Sequence, residues 1–157
     1  MVLTSPDFAN GAMLGIAQVN NRCGGQNQSP ALRWSGAPES TRSYALTLFD
    51  SDANSGRGFW HWLVTDIPTG AAGLSEGAGS GNGLPAGAVQ EENDFGAAGY
   101  GGACPPPGSS PHHYEFTLYA LNVATVPIGT ETNDSELAAY LKAHALATAK
   151  LVGLYKR

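Results

Sequence analysis

Three consecutive prolines, Pro105–Pro107, stand shortly ahead of the most regular alternation in the chain, Tyr114–Val123. Proline fixes φ and has no amide donor, so neither a helix nor a central strand can run through 105–107. The glycines flanking the prolines allow close backbone approach where the segment has to turn. In Tyr114–Val123, Tyr114, Phe116 and Leu118 alternate with Glu115, Thr117 and Tyr119, the period of a half-buried strand. Gly99–Leu121 therefore reads as a stiff loop that delivers His112, His113 and Tyr114 onto a strand. Two imidazoles and a phenol held this firmly suit a site for a small ligand.

The same punctuation runs through the rest of the chain. It holds 21 glycines and 10 prolines, while charged residues make up 13% against about 25% in ordinary domains. Tyr44–Asp50 alternates with Tyr44, Leu46 and Leu48 on one face, and the aromatic stretch Phe59–Ile67 is stopped by Pro68-Thr69-Gly70. Residues 70–99 show no period and predict a long loop region with one short strand near Ala88–Gln90. Asn133 with Glu136 makes a capping box, and Leu137, Tyr140, Leu141, His144 and Thr148 follow at helical spacing. His144 on that face reads as a packed histidine. Gly153 weakens any continuation, so residues 151–155 read equally well as a closing strand. Many strands, one late helix and long Gly/Pro connections predict a single domain over residues 1–157. Its class is mainly β, a sandwich of Greek-key type with a C-terminal α-helix packed on one edge.

Net charge is −5 and Lys and Arg are not clustered, which argues against a nucleic-acid surface. No window approaches the roughly 18 uncharged apolar residues of a membrane-spanning helix. The start M-V-L-T-S-P-D has neither a basic nor an apolar region, so no signal peptide is expected within the sequence as it stands. Cys23 and Cys104 belong to no C-x-x-C motif, which argues against a zinc ribbon or a thioredoxin-like motif. The residues alone leave two states open for them. One is a pair of free thiols; the other is a bridge, which across so long a loop adds up to about 4–5 kcal/mol in the chain-entropy model.

A second polar cluster is Asp50–Trp62, D-S-D-A-N-S-G-R-G-F-W-H-W. Asp50 and Asp52 follow a strand, where an Asx-turn is the plain reading. His61 stands between Trp60 and Trp62, and strand alternation puts it on the face opposite to both. Taken alone it reads as a hydrogen-bonded core histidine. Arg57 reads as a solvated turn residue. Asp50, His61 and His112, with Asp52 and His113, could serve a metal-assisted hydrolase, but they lack H-E-x-x-H spacing. Gly73–Gly77 fits G-x-S-x-G, and Asp94 and His112 follow in order. A nucleophile elbow needs a helix next, and A-G-S-G-N-G-L-P cannot begin one, so the match is read as chance.

F-D-S-D-A-N-S-G-R-G-F-W-H-W-L-V-T-D-I-P, followed by G-Y-G-G-A-C-P-P-P-G-S-S-P-H-H-Y, resembles the phosphatidylethanolamine-binding protein family. The likeness is greatest to its bacterial Raf kinase inhibitor-like branch, and residues 24–34 and 144–155 are similar to that branch too. The family's D-P-D-x-P motif falls on residues 50–54, its pocket histidine on His61 and its H-R-Y triplet on His112–Tyr114. The resemblance implies an anion pocket formed by Asp50, Asp52, His61, His112 and Tyr114 and walled by Gly102, Pro105 and Pro106. Tyr114, the histidines and loop N–H groups would be its donors. The implied ligand is a small anion or phospholipid head group such as phosphate, acetate or phosphoethanolamine, bound without catalysis, metal or cofactor. Inhibition of a protease or regulation of a kinase is also implied, and homodimerisation stays open. Here Ser51 and Asn54 replace the motif's prolines, which softens the loop. His113 replaces the arginine and should point away from the pocket. Cys23 and Cys104 should lie near the pocket and be bridged, which would fit a periplasmic or secreted protein; free thiols would fit the cytoplasm.

Overall fold

The computed structural model describes residues 1–81, 83–129 and 132–157. The strands among them are β1 (Val2–Thr4), β2 (Leu32–Ser35), β3 (Ser43–Asp50), β4 (Phe59–Ile67), β5 (Gly73–Leu74), β6 (Val89–Gln90), β7 (His112–Leu121) and β8 (Ala145–Tyr155). The longest helix is Asp134–His144. A five-stranded sheet in the order β6–β4–β3–β7–β8 opposes a three-stranded sheet in the order β1–β2–β5, and paired strands are antiparallel. β3 lies at the centre of the large sheet. Its hairpin partner β4 is on one side, and β7, which returns after a long connection, is on the other.

Alternation explains which residues fill the space between the sheets. Tyr44, Leu46 and Leu48 of β3 and Tyr114, Phe116 and Leu118 of β7 meet Leu3, Leu32, Trp34 and Leu74 of the small sheet. Fully burying one such side chain contributes about 1.5–3 kcal/mol. The other face of the large sheet is covered as well. Ala45, Leu63 and Leu121 contact Val126, Leu137 and Leu141, so the helix packs on the outer face of the sheet and not on its edge, as the sequence had suggested. The capping box is present, with Asn133 Oδ1 accepting from the Glu136 amide at 2.9 Å and Glu136 Oε2 accepting from the Asn133 amide at 3.2 Å.

The helix stops at His144, whose ring stacks on Tyr140 at 4.1 Å. Thr148, read as helical from its spacing, lies in β8 opposite Tyr119 of β7. Gly153 also lies in β8, where a Cβ would come within 2.8 Å of Leu14 Cγ. Pairing along nearly the whole of β7 therefore overrides the helical spacing. β7 itself begins at His112 and ends at Leu121, two residues earlier at each end than the predicted 114–123.

A second correction concerns β4. Leu48 pairs with Trp62, but Phe49 pairs with Trp60, which leaves His61 as the extra residue of a β-bulge. The bulge breaks the expected alternation. Trp62 faces the inter-sheet core, Trp60 packs on the outer face, and His61 turns inward to lie 5.3 Å from the Tyr114 ring.

Candidate functional site

Asp50 ends β3 and is 2% exposed. Its Oδ1 accepts the amides of Asp52 at 3.0 Å and Ala53 at 3.1 Å, the expected Asx-turn. Its Oδ2 accepts from His112 Nδ1 at 2.7 Å. The turn carries two consecutive residues in the left-handed region, Asn54 (φ 51°) and Ser55 (φ 58°). Proline cannot adopt φ 51°, so Asn54 permits a backbone path that the family motif's second proline would forbid. Hydrogen bonds to Asp50 hold this loop in place of the missing prolines.

His112 and Tyr114 share the inner face of β7, and the bulge brings His61 to them. His61 Nδ1 donates to the Gly101 carbonyl at 2.7 Å. Burial pushes its imidazole below the ordinary value of 6.5, against the opposing pull of that carbonyl and of Asp50 and Asp94. The proton of His61 thus sits on Nδ1. In His112 it sits on the Nδ1 that faces Asp50. Neither Nε2 has a protein partner among the described residues, and neither is sealed from solvent. The Tyr114 hydroxyl is buried and unpartnered; Asp50 and the Cys104 backbone lie close by without forming a hydrogen bond. Burial, reinforced by the Asp50 charge, pushes this phenol above its ordinary 10.0. An unpaired buried hydroxyl costs about 1–3 kcal/mol, so it marks a place where a partner is wanted.

The Gly/Pro loop, the expected wall, meets these side chains through the Gly101 carbonyl at His61 and the Cys104 backbone beside Tyr114. Ala103 exchanges bonds with the 18–20 strip, through Asn20 N to the Ala103 carbonyl at 2.9 Å and Ala103 N to the Gln18 carbonyl at 3.2 Å. A Cβ at Gly102 would come within 2.6 Å of the Asn20 amide nitrogen, so only glycine fits there. Cys23 and Cys104 are disulfide-bonded with Cα atoms 5.6 Å apart, which ties the wall to the same segment. Of the expected amide donors in the wall, only that of Cys104 stays without a partner among the described residues, beside the Tyr114 oxygen. Gly101 donates to the His61 carbonyl, Gly102 to Asn27 Oδ1 and Ala103 to the Gln18 carbonyl. Pro105 and Pro106 have no amide proton, and the Pro105 carbonyl accepts from Arg157 Nε at 2.7 Å.

The expected site residues do not all converge. Asp52 leaves the group, because its Oδ2 accepts both the amide and Nδ1 of His113 at 2.7 and 2.8 Å on the exposed side of β7. Burial pushes Asp52 upward, but the His113 ring and amide outweigh it and hold the carboxyl below its ordinary 3.8. His113 points outward, as strand alternation requires. The G-x-S-x-G match does not assemble a triad, since His112 pairs with Asp50 while Asp94 accepts the Trp60 amide. Among the described residues, no group of three or more His, Cys, Asp or Glu side chains is arranged to hold a metal ion. Sequence reasoning missed Asn27 and Asn93. Asn27 fixes Gly102, and Asn93 Nδ2 donates to the His61 and Gly99 carbonyls. Both lie in Gly/Asn-rich loops that carry no local signal.

An open cleft of about 1020 Å³ lies on the helix side, lined by Phe49, Arg57, Trp60, Glu91, Asp94 and Asp134 among others. None of Asp50, His61, His112 or Tyr114 lines it. No helix among the described residues is long and apolar enough to cross a membrane.

Comparison with known proteins agrees with this architecture. The family model for phosphatidylethanolamine-binding protein matches residues 4–156. The chain is 43% identical to the UPF0098 protein YbcL of Escherichia coli, over 98% of this chain and 86% of that one. It is 36% identical to YbhB of the same organism, over 99% of both. The crystal structure of E. coli YbcL, described as a member of the mammalian PEBP family, matches with a TM-score of 0.94 at 42% identity, covering 99% of this chain and 98% of that one. The CT736 protein of Chlamydia trachomatis matches with a TM-score of 0.80 at 29% identity, covering 99% of this chain and 96% of that one. Two opposed antiparallel sheets, a C-terminal helix and these full-length matches thus lead to one assignment: the chain belongs to the phosphatidylethanolamine-binding protein family, in the branch of YbcL and YbhB.

Proposed function

We propose that this chain is a non-catalytic binding protein for a small phosphate-bearing anion, either inorganic phosphate or a phosphorylated head group such as phosphoethanolamine. The observation that carries the reading is the buried, unpartnered Tyr114 hydroxyl, set beside the open Nε2 atoms of His61 and His112. A phosphate oxygen at that hydroxyl would satisfy it, and a hydrogen bond to a charged group is worth about 1.5–3 kcal/mol. The residues at the site favour binding over chemistry. Asp50 and His112 form a carboxylate–imidazole pair, but the neighbouring groups are a phenol and a second imidazole, and Cys104 is held in its disulfide.

Calorimetry with phosphoethanolamine and with inorganic phosphate tests the reading. Tyr114→Phe removes only the hydroxyl, and combining it with His112→Ala is expected to weaken binding at least tenfold. Unchanged affinity in the double variant would overturn the site. Turnover of a phosphate or carboxylate ester that is lost with His112→Ala would instead favour a hydrolase.

A further inference from the structure

The site proposed for an anion is built around a carboxylate. Asp50 is a buried carboxylate, and among the described residues its ion-pair partner is His112. His61 is held neutral by burial, and the Tyr114 phenol by burial and the Asp50 charge. Among the described residues no arginine or lysine pairs with Asp50, and the nearby arginines keep contacts of their own. Arg57 Nε donates to the Asn54 carbonyl, Arg157 Nε to the Pro105 carbonyl, and Arg22 lies over the Phe95 ring. Asp52 and His113 face each other on the exposed side of β7, and Asp94 adds negative charge towards His61. The amides of 101–103 are bonded within the protein. A phosphate arriving here would meet the Tyr114 hydroxyl, the Cys104 amide and two imidazole rings, with the Asp50 carboxylate directly behind one of them.

From this imbalance, and resting on the anion-binding reading above, we infer that the chain takes up one proton together with its ligand and that His112 carries it. Nδ1–H stays on Asp50, a proton from solvent is added at Nε2, and the new N–H donates to a ligand oxygen. The addition neutralises Asp50 and converts an acceptor into a charge-assisted donor. His112 is the receiving ring because its Nδ1 faces a carboxylate at 2.7 Å, whereas His61 Nδ1 faces only a carbonyl. Phosphate-monoester binding is then strongest on the acid side. It weakens by about tenfold per pH unit on the alkaline limb, where each binding event must draw one proton.

The test is titration calorimetry with phosphoethanolamine at pH 8 in buffers of different ionisation enthalpy, together with ring-nitrogen NMR of the wild-type protein. About one proton should be taken up per ligand, and the His112 ring should move to its imidazolium signature while the His61 ring does not. Asp50→Asn keeps an oxygen for the Asp52 and Ala53 amides but removes the charge, and should abolish the uptake. Binding without proton uptake, or uptake with His112 still neutral, overturns the inference and leaves the anion site standing. Absence of binding for phosphoethanolamine and phosphate at every pH from 5 to 9 overturns the anion site, and the inference with it.

Discussion

Carboxylates on the two sides of the large sheet are treated in opposite ways. On the inner side, Asp50 has two backbone amides and the His112 ring to accept from, and it organises a turn and fixes a tautomer. On the helix side, Asp134 faces Asp94, Glu92 and Glu91. Burial first, then a hydrogen bond with Asp94 and the charges of all three, push Asp134 up to about 6. Arg57 lines the same cleft but forms no ion pair among the described residues. A carboxylate surrounded by N–H donors builds structure, while carboxylates facing one another retain a proton instead. The inner group is a site held in one geometry; the outer group is a charge imbalance at a helix start.

The disulfide should separate the two sides most sharply, because it braces only the inner wall. Replacing both Cys23 and Cys104 by serine opens a constraint between residues 81 apart, and should cost about 4–5 kcal/mol in the chain-entropy model. Chemical denaturation measures the loss. Phosphoethanolamine binding should weaken as the 101–107 wall loosens, while the titration of Asp134 stays where it was. A loss below about 1 kcal/mol would mean that the Ala103 pairing with the 18–20 strip holds the wall unaided.

Next in size is a pH effect of the inner side. The folded-state pKa of His61 lies below its unfolded value of 6.5, so the unfolded chain binds the extra proton first. Its contribution to stability is complete above pH 6.5 and is lost as pH falls below that value, with a slope of at most about 1.4 kcal/mol per unit. His61→Gln can still donate to the Gly101 carbonyl but does not titrate. Denaturation midpoints of that variant should be flatter than wild type from pH 6.5 towards pH 5. Parallel curves would mean that His61 is not held neutral by burial. Asp52 acts lower, with stability lost only as pH falls below 3.8.

How far the sequence reaches depends on whether a feature is local. Tyr44–Asp50 and the core of β7 are legible because burial and alternation coincide along one strand, and the Asn133–Glu136 capping box spans a single helical turn. β1, β2 and β5 are not, since two to four residues carry no period and their partners lie far away in the chain. The direction of His61 depends on how Phe49 and Leu48 register against Trp60 and Trp62, which no window around residue 61 contains. Resemblance, not spacing, puts Asp50 and His112 in one site, and their direct pairing is visible only in the structure. The closed amides of the wall depend on Gln18 and Asn27, which pair with residues more than 70 positions on. Local chemistry could name donors there, but not whether they were already engaged.

The smallest expected effect tests the outer side, and its sign is reversed. Asp134 holds its proton up to about pH 6 in the folded state but only to 3.8 when unfolded, so folding favours the protonated form. Stability from this group is greatest below pH 3.8, declines as pH rises towards 6, and is fully lost above that. Asp134→Asn removes the repulsion and should raise stability at pH 7, by less than about 1 kcal/mol because the cleft is open to solvent and screened. Loss of a negative charge in the first helical turn opposes this gain by a few tenths of a kcal/mol. The advantage should shrink at high salt and disappear at pH 4, where the wild-type carboxyl is already mostly protonated. A variant stabilised equally at pH 4 and pH 7 would show that repacking, not charge, was responsible. The acidic cleft would then be no counterpart to the paired carboxylate of the inner side.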